Sequence, residues 1–174
     1  MRHQVSVVTI RMMIMALCLA FMHTSYAAEL RELGQKTAAP GFELEDLSGN
    51  RHTLSDYRGT VVLVNFWASW CGPCVEEIPA LNRLREHMTN QPFELISINY
   101  AETPEQIDEF LNMVKVDFPV LLDQDGSYSA KWNVLVYPAT FVIDTDGNIV
   151  YGVNGAIEWD SEEITGKLKA LMEN

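Results

Sequence analysis

The chain has 174 residues, 48% of them hydrophobic, enough for one domain with a packed core and one extra segment. Asp and Glu number 24 against 12 Lys and Arg, a formal net charge of −12. That acidity excludes a nucleic-acid partner, which needs a basic patch, and otherwise marks a solvated surface.

Residues 1–27 read as a secretory signal peptide. Met1 to Arg11 carries Arg2 and Arg11 and no acid, Met12 to Met22 is apolar, and Ser25 and Ala27 supply the small residues of a cleavage site. Eleven residues span ~16 Å as a helix, short of the ~30 Å hydrocarbon core of a bilayer. The expectation is cleavage after Ala27 and a periplasmic protein; a retained membrane anchor that recruits Val5 to Ile10 is the alternative. Cys18 lies within the apolar run. Leu17 before it is too large for a lipoprotein cysteine, so Cys18 counts as a discarded hydrophobe. The mature chain then holds only Cys71 and Cys74.

Residues 28–39 are polar and weakly patterned and read as a linker, with the folded domain over 40–174. Phe42, Leu44 and Leu47 alternate with acids, Ser48-Gly49-Asn50 turns, and Arg51 to Leu54 returns: a short hairpin. The run Val61 to Trp67 predicts a buried central strand in a parallel setting. A helix follows from Val75 to about Met88, with a kink expected at Pro79. Phe93 to Asn99 is the next strand. Thr103-Pro104-Glu105-Gln106 opens a helix through a capping box, and Ile107, Phe110, Leu111 and Val114 form its buried stripe. Pro119 to Leu122 is a short strand, Asp125-Gly126 a turn, and Ser127 to Trp132 a short helix. Phe141 to Ile143 and Ile149 to Val153 form an antiparallel pair across Asp146-Gly147. Asp160 to Glu163 caps a last helix that ends near Leu171. Strands alternating with helices predict an α/β layered fold with a mixed sheet.

The chemistry lies in Trp70-Cys71-Gly72-Pro73-Cys74, between the buried strand and its helix. A helix N-terminus presents unpaired N–H groups and partial positive charge, which stabilise a thiolate. Cys71, at the helix start and the more exposed thiol, is the expected nucleophile; Cys74, one turn on, is the resolving thiol. The pair closes almost no loop and adds little stability as a cross-link, so redox exchange explains it better than structure does. Pro73 fits the first helical turn and Gly72 lets a partner's backbone approach. A zinc site would need a second Cys or His pair; His52 and His87 form none and read as surface residues.

Glu77 follows from helix geometry alone. Each residue of an ideal helix turns the side-chain direction by the same angle, and 3.6 residues complete the circle. Viewed down the axis from Cys74, the apolar residues Ile78, Leu81, Leu84 and Met88 all point to the Cys74 side. Glu77 points between Leu84 and Met88, within that apolar face. Glu76 points almost directly away from Cys74, outside it. A desolvated carboxyl beside a thiolate has a raised pKa, so Glu77 is the candidate proton acceptor and donor for Cys74.

Residues 64–79, Val-Asn-Phe-Trp-Ala-Ser-Trp-Cys-Gly-Pro-Cys-Val-Glu-Glu-Ile-Pro, resemble the TlpA/ResA branch (related to CcmG/DsbE) of exported thioredoxin-like thiol-disulfide oxidoreductases. The Pro-Gly-Phe-x-Leu-x-Asp-Leu-x-Gly stretch at 40–49 and the strand–helix segment around 94–133 match that branch too. The resemblance covers nearly all of residues 40–174. It implies a thioredoxin fold: a central mixed β-sheet flanked by helices, with an N-terminal β-hairpin and a strand–helix insert. It implies a protein-disulfide oxidoreductase that needs no cofactor, with Cys71 and Cys74 as a redox-active disulfide. Thioredoxin carries an aspartate where this chain has Asn65, and in this branch the carboxylate comes from the helix, at Glu77. Pro138 takes the place of the superfamily's cis-proline facing the disulfide. The backbone of Tyr137 is then free to pair with an extended substrate. Trp70 flanks Cys71 and is either a substrate contact or a cover for the site's edge.

Partners implied by the resemblance are protein thiols or disulfides, such as apocytochrome c cysteines or copper-site assembly proteins, with a membrane thiol transporter as electron source. The Gly-Pro dipeptide departs from the acid that ResA-like members often carry between the cysteines, and leaves the substrate open. A reducing role is expected, because Glu77 disfavours the Cys74 thiolate. Two alternatives belong to other classes. A thiol peroxidase would need a threonine and a proline where this chain has Ala68 and Val64. A copper-binding chaperone would use the thiolates as soft ligands, with a distant histidine that is not evident here.

Overall fold

The structure, a computed structural model, describes residues 28–173; the signal-peptide reading of residues 1–27 lies outside them. In chain order the strands are β1 (Arg31–Ala38), β2 (Glu43–Glu45), β3 (Arg51–Thr53), β4 (Val61–Trp67), β5 (Phe93–Tyr100), β6 (Val120–Asp123), β7 (Ala139–Ile143) and β8 (Asn148–Asn154). The helices are α1 (Gly72–His87), α2 (Pro104–Leu111), α3 (Ser127–Lys131) and α4 (Glu162–Met172). Six strands form one mixed sheet in the order β1-β8-β7-β4-β5-β6, and β2 pairs with β3 as a separate hairpin. This is the expected α/β arrangement, and the segment around 94–133 is built from β5, α2, β6 and α3.

Every residue of β4 is buried, and the strand serves two cores. Val61 and Leu63 face one, where Leu81 and Leu84 of α1, Trp159 and Leu168 pack. Val62, Val64 and Phe66 face the other, with Trp132, Ile96, Ile98 and the hairpin residues Phe42 and Leu44. Burial on both faces makes the run continuously apolar. Its neighbours are parallel β5 on one side and antiparallel β7 on the other, so the parallel setting holds on one side only, within the mixed sheet expected. The period of two also decides where Asn65 points: to the side of Val61 and Leu63, toward α1.

Two further expectations change. The linker 28–39 contains β1, which pairs antiparallel with β8 at the sheet edge. All eight β1 side chains are exposed, so the strand is held through its backbone and shows no apolar alternation. His52 is half-buried, its ring within hydrogen-bond distance of the Tyr57 hydroxyl (2.8 Å) and Asp46 Oδ2 (3.1 Å). Hydrogen bonds from Asn50, His52 and Ser48 outweigh burial and hold Asp46 at a pKa of about 2.

The capping box on α2 forms as predicted, with Thr103 accepting from the Gln106 N–H and Gln106 from the Thr103 N–H. Ile107 and Phe110 are buried, and they pack with Trp67, Ile78 and the two cysteines in a third cluster. Among the described residues no helix is long and apolar enough to cross a membrane.

Candidate active site

β4 runs straight into the motif. After Trp67 the chain turns through Ala68 to Trp70, closed by the Cys71 N–H on the Ala68 carbonyl (3.2 Å). Cys71 is the N-cap of α1 and its Sγ accepts from the Cys74 N–H (3.3 Å). The two cysteines form a disulfide. Cys71 is 6% exposed and Cys74 1%, so an incoming sulfur reaches Cys71 first. Pro73 lies in the first turn. A Cβ on Gly72 would meet nothing within 4 Å, so the space beside the disulfide is open to another chain.

Glu77 is buried, 3% exposed, and Glu76 is exposed, as the helix geometry requires. Its carboxylate is held from two directions. Asn65 Nδ2 donates to Oε1 (2.7 Å) and also reaches Thr140 Oγ1 (2.9 Å) on β7. Trp159 Nε1 donates to Oε2 (2.9 Å). Burial pushes the Glu77 carboxyl up to about 7, opposed by hydrogen bonds from Trp159, Asn65 and the Ile157 backbone. Glu77 lies one turn from Cys74 on the same helix face. On its other side it reaches a surface groove of about 520 Å³, lined by Pro79, Ala80, Arg83, Ile157 and Glu158 among others.

Pro138 comes from across the sheet. Ala139 pairs with Phe66, so the residue before it falls beside the end of β4 where the motif emerges. The Tyr137–Pro138 bond is cis. Tyr137 packs on the cluster that contains both cysteines, stacks on Tyr100 (ring centroids 4.9 Å) and meets the edge of Trp70 (6.0 Å). Trp70 is 64% exposed, and Leu135 and Val136 beside Tyr137 are also exposed. Trp70 to Cys74, Tyr137 and Pro138 therefore meet where β4 ends in the interior of the sheet, and Glu77 lies one helical turn on, against Asn65 of β4.

Three residues escaped the sequence reading. Asn65 and Trp159 hold Glu77; the resemblance set Asn65 against thioredoxin's aspartate but gave it no partner. Glu102, also buried, accepts from the Ser69 N–H (2.7 Å), the Ser69 hydroxyl and Asn99 Nδ2 (2.8 Å). It clamps the loop that delivers Cys71. Glu102→Ala would leave these donors unpaired and is expected to cost about 2–3 kcal/mol in urea unfolding. A loss under about 0.5 kcal/mol would show that the loop does not depend on the clamp.

Comparison with known proteins gives the family and the fold. The AhpC/TSA family model matches residues 35–152. The thiol-disulfide oxidoreductase ResA of Geobacillus kaustophilus is 32% identical over 150 residues, covering 86% of this chain and 85% of that one. ResA of Bacillus subtilis is 33% identical over 147 residues, covering 83% and 82%. Among solved structures, a protein of Chlorobium tepidum provisionally assigned as thiol:disulfide interchange protein DsbE superposes with a TM-score of 0.73 at 30% identity, covering 80% of this chain and 99% of that one. The exposed lipoprotein thioredoxin of Streptococcus pneumoniae gives a TM-score of 0.67 at 27% identity, covering 76% and 100%. The fold is thioredoxin-like, the substrates are protein thiols and disulfides, and the chain belongs to the AhpC/TSA family as a ResA-type protein-disulfide oxidoreductase.

Proposed function

We propose that the protein works outside the cytoplasm as a reductant of protein disulfides. The observation that carries this reading is the buried Glu77 carboxyl on the Cys74 face of α1, with a pKa pushed up to about 7. In the reduced protein the Cys71 thiolate attacks a partner disulfide, forming a mixed disulfide and releasing one partner thiolate. Cys74 then gives its proton to Glu77 and attacks Cys71 Sγ. The Cys71–Cys74 bond forms, the second partner sulfur leaves and takes up a proton, and two electrons have passed to the partner. A carboxylate near Cys74 disfavours its resting thiolate, which makes the dithiol a better electron donor.

Trp70, Gly72, Pro73, Tyr137 and Pro138 are read as the surface that receives the partner. The open space at Gly72 and the exposed Trp70, Leu135 and Val136 support an extended, partly apolar segment laid beside Tyr137. Apocytochrome c cysteines or copper-site assembly proteins remain the partner classes implied by the resemblance, with a membrane thiol transporter returning electrons. The signal-like residues 1–27 support export, as does likeness to a protein named an exposed lipoprotein.

The test is the reduction potential. It is expected nearer the ~ −270 mV of thioredoxin than the ~ −120 mV of a strong periplasmic oxidant; a value close to the latter would make the protein an oxidase instead. For the peroxidase alternative, Ala68 offers no hydroxyl where threonine is needed and Val64 stands where proline is needed, both fully buried, which favours disulfide exchange. Catalysed turnover of hydrogen peroxide would reverse that preference.

A further inference from the structure

Burial of an indole in this fold does not by itself bring it a hydrogen-bond partner. Trp67 and Trp132 both bury their ring N–H without one. Trp159 is fully buried as well, and its N–H is aimed at a carboxylate oxygen of Glu77. Trp159 is far from the Cys-Gly-Pro-Cys motif in sequence, in the loop between β8 and α4. That loop leaves β8 through Gly155, whose φ of 105° favours glycine and whose N–H donates to the Pro138 carbonyl (2.8 Å). One short segment therefore touches the cis-proline at its start and Glu77 at its end.

We infer that Trp159 is a positioning residue for the exchange reaction: its indole N–H holds the Glu77 carboxylate on the Cys74 face of α1 and favours the ionised form that accepts the Cys74 proton. This rests on the reading of Glu77 as the proton acceptor. The two oxygens of Glu77 are divided between donors from different parts of the chain, Asn65 on β4 and Trp159 before α4. A carboxylate held at both oxygens cannot swing out to solvent, and each N–H stabilises its charge against the cost of burial.

The charged and titratable groups around Glu77 leave this role to neutral donors. On α1, Cys74 lies one turn back, Glu76 is exposed, and Arg83 is engaged by Asp160 (2.6 Å). Glu158 lines the groove from the loop side, while β4 and β7 contribute the uncharged Asn65 and Thr140. No cation among these bonds to Glu77, so hydrogen bonds are the available means of favouring its ionised form. The groove gives the carboxyl an exit for its proton that does not pass the disulfide.

Two measurements test this. In the oxidised native protein, the indole N–H resonance of Trp159 is expected to titrate with Glu77 near pH 7 and to stop titrating in Glu77→Gln. A resonance that does not move between pH 5 and 9 would overturn the proposal, and this readout needs no turnover. Failure to reduce partners would instead sink the proposed function and leave the titration standing. Trp159→Phe keeps most of the buried ring and removes the donor. In a Cys71 mixed disulfide with a small thiol, the inflection in the pH profile of thiol release, which follows ionisation of the Glu77 base, is expected to rise by about one pH unit, and Trp159→Phe added to Glu77→Gln is expected to produce no further shift. An inflection that stays in place, with only a lower unfolding midpoint, would reduce Trp159 to a packing role. If Trp159→Phe does not fold, the indole titration alone decides.

Discussion

Glu77→Gln is expected to change both how stability depends on pH and how fast the disulfide closes. Burial raises the native carboxyl from 4.5 to about 7, so the native state binds this proton more tightly than the unfolded chain does. The resulting stability is fully present below pH 4.5 and is lost as pH rises through about 7, amounting to about 3 kcal/mol. Glutamine has no such proton. Its amide also turns a donor toward Asn65 or Trp159, which leaves one of those N–H groups unpaired at every pH. The wild type is therefore expected to be the more stable protein at pH 4, with its advantage falling by about 3 kcal/mol by pH 8.5 in paired urea unfolding curves. A stability difference constant across that range would show that Glu77 does not titrate where its burial places it. The kinetic consequence is separate. With no base beside it, Cys74 must lose its proton to solvent, and release of a small thiol from a Cys71 mixed disulfide is expected to slow about 100-fold near pH 7. An unchanged rate would make Glu77 a structural carboxyl.

Much of this site is written locally in the chain, and the remainder depends on tertiary contacts. Cys71, Gly72, Pro73 and Cys74 are contiguous. Glu77 is reachable because a helix has a fixed angular step, so an acid within an apolar stripe is visible in one dimension. Trp159 has no such signal. It is 82 residues from Glu77, and a buried tryptophan near a helix start reads as core. Glu102 is equally silent, since an acid before the Thr103 cap reads as solvated. Asn65 could be noticed as the one polar residue of β4, and the resemblance singled it out, but its partner was hidden until the period of two aimed it at α1.

The same distinction runs through the fold. Strands that bury side chains, such as β4 and β5, leave an apolar run or an alternation. β1 buries none of its side chains and is held to β8 by its backbone, so a polar stretch that reads as a linker is the sheet's edge strand. His52 fails for a related reason: its burial comes from Asp46 and Tyr57, and a hydrogen-bonded pocket leaves no hydrophobic pattern around it.

Cys74→Ser is expected to abolish turnover and to convert the protein into a trap for its own partner. Two observations set the direction of attack. Cys71 is the more exposed sulfur, and it sits at the N-cap, where its Sγ accepts the Cys74 N–H; that bond survives in the variant because it uses the backbone of residue 74. Cys71 can thus still form a thiolate and attack, but no thiol remains one turn on to break the mixed disulfide. Serine nearly preserves the size of the buried side chain, so the site is expected to hold its shape. Expressed in its native host, the variant should migrate as a higher-mass species on non-reducing gels and return to the monomer band with dithiothreitol. Cys71→Ser should trap little, because the remaining thiol is 1% exposed beneath the helix start. Equal trapping by both variants would overturn the assignment of Cys71 as nucleophile. The protein recovered from the Cys74→Ser complex would show whether the partner presents haem-attachment cysteines, copper-ligating cysteines or another disulfide.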